Sequence, residues 1–87
     1  MKFEYDPAKS ESNKAKHGID FEGAQALWKD EDRLNVPAAY KDEERHALIG
    51  RIGSRHWTAV FTYRGNAYRI ISVRHSRREE IAQYEKD

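Results

Sequence analysis

Seven arginines, no lysine and no carboxylate stand between His46 and Arg78, in a chain whose flanks are acidic. Arginine without lysine favours planar, two-pronged recognition of phosphate over a diffuse basic surface. Histidines at 17, 46, 56 and 75 add groups that can exchange protons near neutral pH. A base, an acid and a cation suffice to cleave RNA through its own 2′-hydroxyl, leaving a cyclic phosphate and a 5′-hydroxyl, and histidine with arginine can supply all three. The histidines form no HxH or HxxxH pair and cysteine is absent, so no metal-site spacing appears. The expected chemistry is therefore metal-independent and needs no cofactor. The competing expectation is that the arginines pair with acids from the two flanks.

The charge is unevenly laid out. Residues 1–45 carry eight Lys/Arg against eleven Asp/Glu, residues 46–78 carry the seven arginines alone, and residues 79–87 carry one lysine against four acids. At 87 residues, with 38% hydrophobic and 36% charged side chains, the chain is expected to form one small domain over 1–87. The absence of an apolar leader or a run of transmembrane length points to a cytoplasmic protein with no membrane partner.

The elements that must position these groups follow from local signals. "KFEY" suits a short strand. Asp6 caps a helix with Pro7 at its first position and Gly18 as its stop, and Lys9, Asn13 and Lys16 share one of its faces. A second helix is expected from Asp20 to about Lys29, with Phe21, Ala24, Leu27 and Trp28 as its apolar stripe. An edge strand at about Arg33–Val36 precedes a polar loop that contains Pro37. Residues 45–75 read as three antiparallel strands joined by turns at Gly53-Ser54 and Gly65-Asn66, and a last helix starts at Ser76, with Glu79 closing a capping box. Two-residue turns put Leu48, Trp57, Ala59, Phe61, Tyr63, Tyr68 and Ile70 on one sheet face. Arg45, Ala47, Ile49, Arg51, His56, Val60, Arg64, Arg69, Ile71 and Val73 fall on the other. Arg74 falls on the aromatic side at its strand's end. The arginine face is expected to be open and concave, suited to a phosphodiester backbone, with Tyr63, Tyr68 and Tyr84 able to stack on unpaired bases.

The segments "FEYDPAKSESNKAKHGIDFEGA" (3–24), "EERHALIG" (43–50) and "YRIISVRHSRREEIAQYE" (68–85) together resemble the BrnT family of type II toxins. The carrying pattern is YDP, N-x-x-KHGI-x-F, ER and RIIS-x-R-x-S/A-x-x-E-x-x-x-Y, with "VRHS" where the family is expected to have "ARxA". The resemblance implies a RelE-like α+β fold in the order β-α-α-β-β-β-β-α, a small antiparallel sheet with two N-terminal helices and one C-terminal helix. It implies an endoribonuclease toxin that acts on RNA and blocks translation. It also implies a BrnA-like ribbon-helix-helix antitoxin, and operator DNA bound through that antitoxin.

On this reading His17 is the candidate acid or base, and Glu44 a candidate base beside the phosphate clamp Arg45. Arg69 and Arg74 would hold phosphate or transition-state charge, and Tyr84 could donate a proton. Lys16, Arg51, Arg64 and Arg77 are expected to contact RNA. His56 and His75 are expected at the surface. A non-catalytic nucleic-acid-binding module, or a protein-docking module, would use the same basic face.

Overall fold

A computed structural model describes residues 1–38 and 43–86. Its elements run β1 (Lys2–Glu4), α1 (Pro7–His17), a 3₁₀ helix (Gly23–Lys29), β2 (Leu34–Ala38), β3 (Arg45–Ile52), β4 (Arg55–Arg64), β5 (Ala67–His75) and α2 (Arg78–Glu85). The sheet has five strands in the order β1-β5-β4-β3-β2.

Local signals set α1. Asp6 Oδ1 accepts the Ala8 N–H at 2.9 Å, Pro7 follows, and Gly18 ends the helix at φ 90°, a left-handed conformation that glycine adopts without a Cβ penalty. Gly53 and Gly65 lie at φ 62° and 60° in the two-residue turns of the β3–β4 and β4–β5 hairpins.

Several expectations need correction. The sheet is mixed, because β1 runs parallel to β5, with Phe3 beside Tyr68 and Glu4 beside Arg69. A three-residue strand at an edge gains its pairing from a partner far along the chain, which no local pattern reports. The second helix starts at Gly23 and is 3₁₀, preceded by a turn in which Asp20 Oδ1 accepts the Gly23 N–H at 2.7 Å. Its expected apolar stripe is nevertheless buried: Phe21, Ala24, Leu27 and Trp28 are each at most 4% exposed. The edge strand extends through Pro37, which faces His46, and an edge tolerates a missing N–H. Most of the loop expected after it falls on residues 39–42, outside the described residues. The last helix has its capping box one residue later than expected, with Glu80 accepting the Arg77 N–H at 2.7 Å.

The core lies between the sheet's aromatic face and the 3₁₀ helix. Phe21, Ala24, Leu27 and Trp28 pack against Leu48, Trp57, Ala59, Phe61, Ile70 and Val73. Trp28 meets Phe61 and Phe3 edge-on at 5.3 and 4.9 Å, a favoured aromatic geometry. Burying each large apolar side chain here is worth roughly 1.5–3 kcal/mol. Helix α1 lies along the β5 edge and carries no large apolar side chain. Its inward residues are Ser10 and Asn13, both buried. Ser10 Oγ accepts the Phe21 N–H at 2.8 Å. The Asn13 amide accepts from Val73 N–H at 3.1 Å and donates to Val73 C=O at 2.9 Å and Ile19 C=O at 2.8 Å. One side chain thus completes the edge hydrogen bonding of β5 at Val73, where β1 no longer reaches.

A bulge between Val60 and Phe61 shifts the β4–β5 register. Phe61 faces Ile70, but Val60 faces Ser72, so Ile71 is the extra residue. Beyond it every side chain of β5 changes sides. Val73 therefore enters the core opposite Ala59, and Arg74, opposite Thr58, joins the arginine face.

Candidate nucleic-acid interface

The face opposite the aromatic core is built in rows across the strands. Thr62 and Arg69 form one row with Glu4, and Arg45 lies on the same face of β3, two residues before Ala47. Val36, Ala47, Val60 and Ser72 form the next row, and Leu34, Ile49, Thr58 and Arg74 the one after. Arg51 and His56 make the last. The floor is small and weakly polar, and Arg45, Arg51, Arg69 and Arg74 stand on it, with Glu4 at its edge.

This face is not open throughout. Helix α2 lies over its last two rows and is attached by polar contacts. Glu80 takes both prongs of Arg74 at 2.8 and 2.9 Å and the Thr58 hydroxyl at 3.0 Å. Glu85 meets His56 Nε2 at 2.7 Å, and the Tyr84 ring stands edge-on to His56. His56, expected at the surface, is therefore half-buried beneath this helix. Burial would raise the Glu80 pKa, but Arg74, the Arg77 N–H and Thr58 outweigh it and hold it near 2. The same pair raises the Arg74 pKa above its ordinary value.

The guanidiniums of this face have carboxylate partners from the flanks. Arg69 and Arg64 reach Glu4 at 3.1 and 3.8 Å, Arg45 reaches Glu43 at 2.8 Å, and Arg51 approaches Glu85 at 4.0 Å. The acidic flanks thus compensate this face, whereas Arg55, Arg77 and Arg78 have no carboxylate within salt-bridge distance among the described residues. Pairing leaves the arginines on the face; an anion landing there competes with a carboxylate for the same donors.

The predicted site residues fall into separate groups. Arg45, Arg69 and Arg74 share the sheet face. Lys16 and His17 line a cleft of about 240 Å³ between α1 and the bulge, together with Lys9, Ser12, Ile71 and Ser72. Ser72 belongs to both, since it also stands in the Val60 row. Glu44 is exposed, and its backbone carbonyl accepts from Thr62 Oγ1 at 2.8 Å. Arg64 lies at the far end of β4, and Arg77 caps α2 beside Glu80.

Tyr84 and Arg51 sit apart, in a second cleft of about 410 Å³ shared with Asp32, Glu85 and Lys86. There Asp30 Oδ2 accepts the Tyr84 hydroxyl at 2.6 Å and the Arg51 N–H at 2.7 Å. Burial and the adjacent Asp30 push the phenol up to about 12. Burial works against Asp30, yet the bonds from Tyr84, Asp32 and Arg51 draw its pKa below the usual carboxylate value. Tyr63 and Tyr68, considered for base stacking, lie with Phe61 on the opposite side of the sheet from the arginines.

Asp30 and Glu4 are organising residues that the sequence reading did not single out, and Asn13, placed there on a face with Lys9 and Lys16, is buried against Val73. Asn13 had a signal: Ser10 and Asn13, three apart on a helix lacking an apolar stripe, mark its inward face as polar. Among the described residues, no group of three or more His, Asp or Glu side chains is arranged to hold a metal ion, and no helix is long and apolar enough to cross a membrane. No curated protein matches the chain. The family model for the ribonuclease toxin BrnT of type II toxin–antitoxin systems matches residues 5–80, and the chain belongs to that family.

Proposed function

We propose that this chain is a metal-independent endoribonuclease toxin whose reacting phosphate sits on the sheet face beside Ser72. The observation that carries this reading is the convergence of Arg45, Arg69 and Arg74 on one face, next to a cleft that contains His17. In the proposed reaction the RNA 2′-oxygen attacks the neighbouring phosphorus as a base removes its proton. The P–O5′ bond breaks and an acid returns a proton to the departing oxygen. The products are a 2′,3′-cyclic phosphate and a 5′-hydroxyl. His17 is the proton-exchanging group of this scheme, with Glu44 the alternative base. The arginines stabilise charge that builds on the phosphoryl oxygens. Tyr84 stays outside this group, because its hydroxyl is committed to Asp30.

In this reading the toxin acts in the cytoplasm and lowers translation by cutting RNA. A BrnA-like ribbon-helix-helix antitoxin neutralises it by covering the basic face or its rim, and the complex reaches operator DNA through that antitoxin. The test is cleavage of a defined RNA with and without EDTA, with end-group analysis of the products. Cleavage that survives chelation and leaves cyclic-phosphate ends is expected; an absolute requirement for Mg²⁺ would overturn the mechanism.

A further inference from the structure

The arginines of the sheet face, Arg45, Arg51, Arg64, Arg69 and Arg74, have carboxylate partners, but the cations of α1 do not. Lys9 and Lys16 are exposed and have no carboxylate within salt-bridge distance among the described residues. Both line the cleft against the β5 bulge, with the Ser12 hydroxyl between them and Ser72 on the opposite wall. The acid of α1, Glu11, is not part of that lining. Seven residues of helix separate the two lysines, a rise of about 10 Å, so the stripe can follow an extended anion and not merely a single point. The bulge makes the connection, since it brings Ser72 into the arginine face as well as the cleft wall.

We infer that this cleft is a second phosphate subsite, which seats RNA backbone phosphates flanking the one on the sheet face, with Lys9, Ser12 and Lys16 as their donors. It deepens the ribonuclease reading and rests on it for the identity of the ligand. RNA is favoured over an acidic peptide because the cleft continues into a face of paired guanidinium forks, whose geometry matches phosphate oxygens. The strand then crosses the edge of β5 at the bulge and continues along α1. The uncompensated charge of the stripe contributes affinity, and the paired arginines contribute register.

The probe is a labelled short 2′-O-methyl oligonucleotide, which lacks the reacting hydroxyl and reads binding whether or not the protein cleaves. Its affinity is measured by fluorescence anisotropy at 50 and 200 mM salt. The variants are Lys9→Gln with Lys16→Gln, and Lys14→Gln as a control on α1 outside the cleft. Losing two single-strand phosphate contacts lowers the salt slope by about 1.4. The gap between wild type and the double variant should therefore shrink about sevenfold from the lower salt to the higher. Equal binding by wild type and double variant, or an equal loss in Lys14→Gln, would overturn the subsite. A loss of poly-glutamate binding with oligonucleotide binding intact would overturn RNA as its occupant. Intact binding through Lys9 and Lys16 without cleavage of natural RNA would leave the subsite standing and remove only the catalytic reading.

Discussion

Glu80→Gln tests whether one carboxylate holds α2 to the sheet. That side chain receives Arg74 twice, Thr58 and the Arg77 N–H, while no residue of the helix is itself buried. Against the burial that would raise it, these donors carry the Glu80 pKa from 4.5 to about 2. At ~1.4 kcal/mol per unit, such a depression corresponds to about 3 kcal/mol of folded-state stability. The carboxylate is only 18% exposed, so water screens little of it. Because the folded value lies below the unfolded one, the contribution is complete above about pH 4.5 and fades as the pH falls toward 2. Glutamine keeps the shape, loses the charge and leaves Arg74 half-buried without its partner. The expected loss is about 3 kcal/mol at pH 7, or roughly 12–24 °C in Tm for a domain of this size. Urea unfolding, followed by the fluorescence of Trp28 and Trp57 and by helical circular dichroism, measures it across a pH series. The gap to wild type should narrow between pH 5 and pH 3. A gap under about 0.5 kcal/mol at pH 7, below what loss of even one such hydrogen bond costs, would refute this account. So would a gap that stays constant down to pH 3.

Arg69→Lys and Arg74→Lys should each lower RNA cleavage by roughly a hundred- to a thousandfold if the planar fork holds transition-state charge. Cleavage per folded molecule that stays intact while melting falls would assign both arginines to the ion pairs with Glu4 and Glu80 alone. Asn13→Ala removes three hydrogen bonds and leaves the Val73 N–H without its partner; a loss of about 3 kcal/mol in urea unfolding is expected at ~1 kcal/mol per bond. Tyr84→Phe removes the bond to Asp30 and should cost about 1–2 kcal/mol. In wild type, ultraviolet titration should show one tyrosine ionising near pH 12, and its persistence in Tyr84→Phe would contradict the assignment.

Features carried by neighbouring residues were legible in the sequence. Asp6, Pro7 and Gly18 bounded α1, and Gly53 and Gly65 marked the hairpins, because a cap or a positive φ is a local requirement. The stripe of Phe21, Ala24, Leu27 and Trp28 was legible as an inward face, although its helix proved to be 3₁₀. The parallel pairing of β1 was not, since nothing in "KFE" names a partner some 65 residues away. The bulge at Ile71 was invisible too, and it moved Val73 and Arg74 to opposite faces from those expected. Arginine on a strand announces a guanidinium but not its carboxylate. The acidic flanks hinted at pairing, yet only the fold shows that Glu4 serves Arg69 and Glu80 serves Arg74. The helix face that holds Asn13 was legible but its burial was not, because a buried amide that satisfies a sheet edge has no hydrophobic periodicity.

The edge of β5 also governs the order in which this molecule can assemble. The β3–β4 and β4–β5 hairpins close over two residues each and form from neighbours. In contrast, β1 and α1 wait for contacts such as Glu4–Arg69 and Asn13–Val73, which span 65 and 60 residues. Long closures of this kind come late, because chain entropy is spent before the contacts form. The chain emerges with its first strand and helix long before β5 exists to receive them. The wall of the α1 cleft and the Glu4 partner of Arg69 are therefore completed only after most of the polypeptide has been made, and a nascent chain lacks the finished anion-binding surface until then.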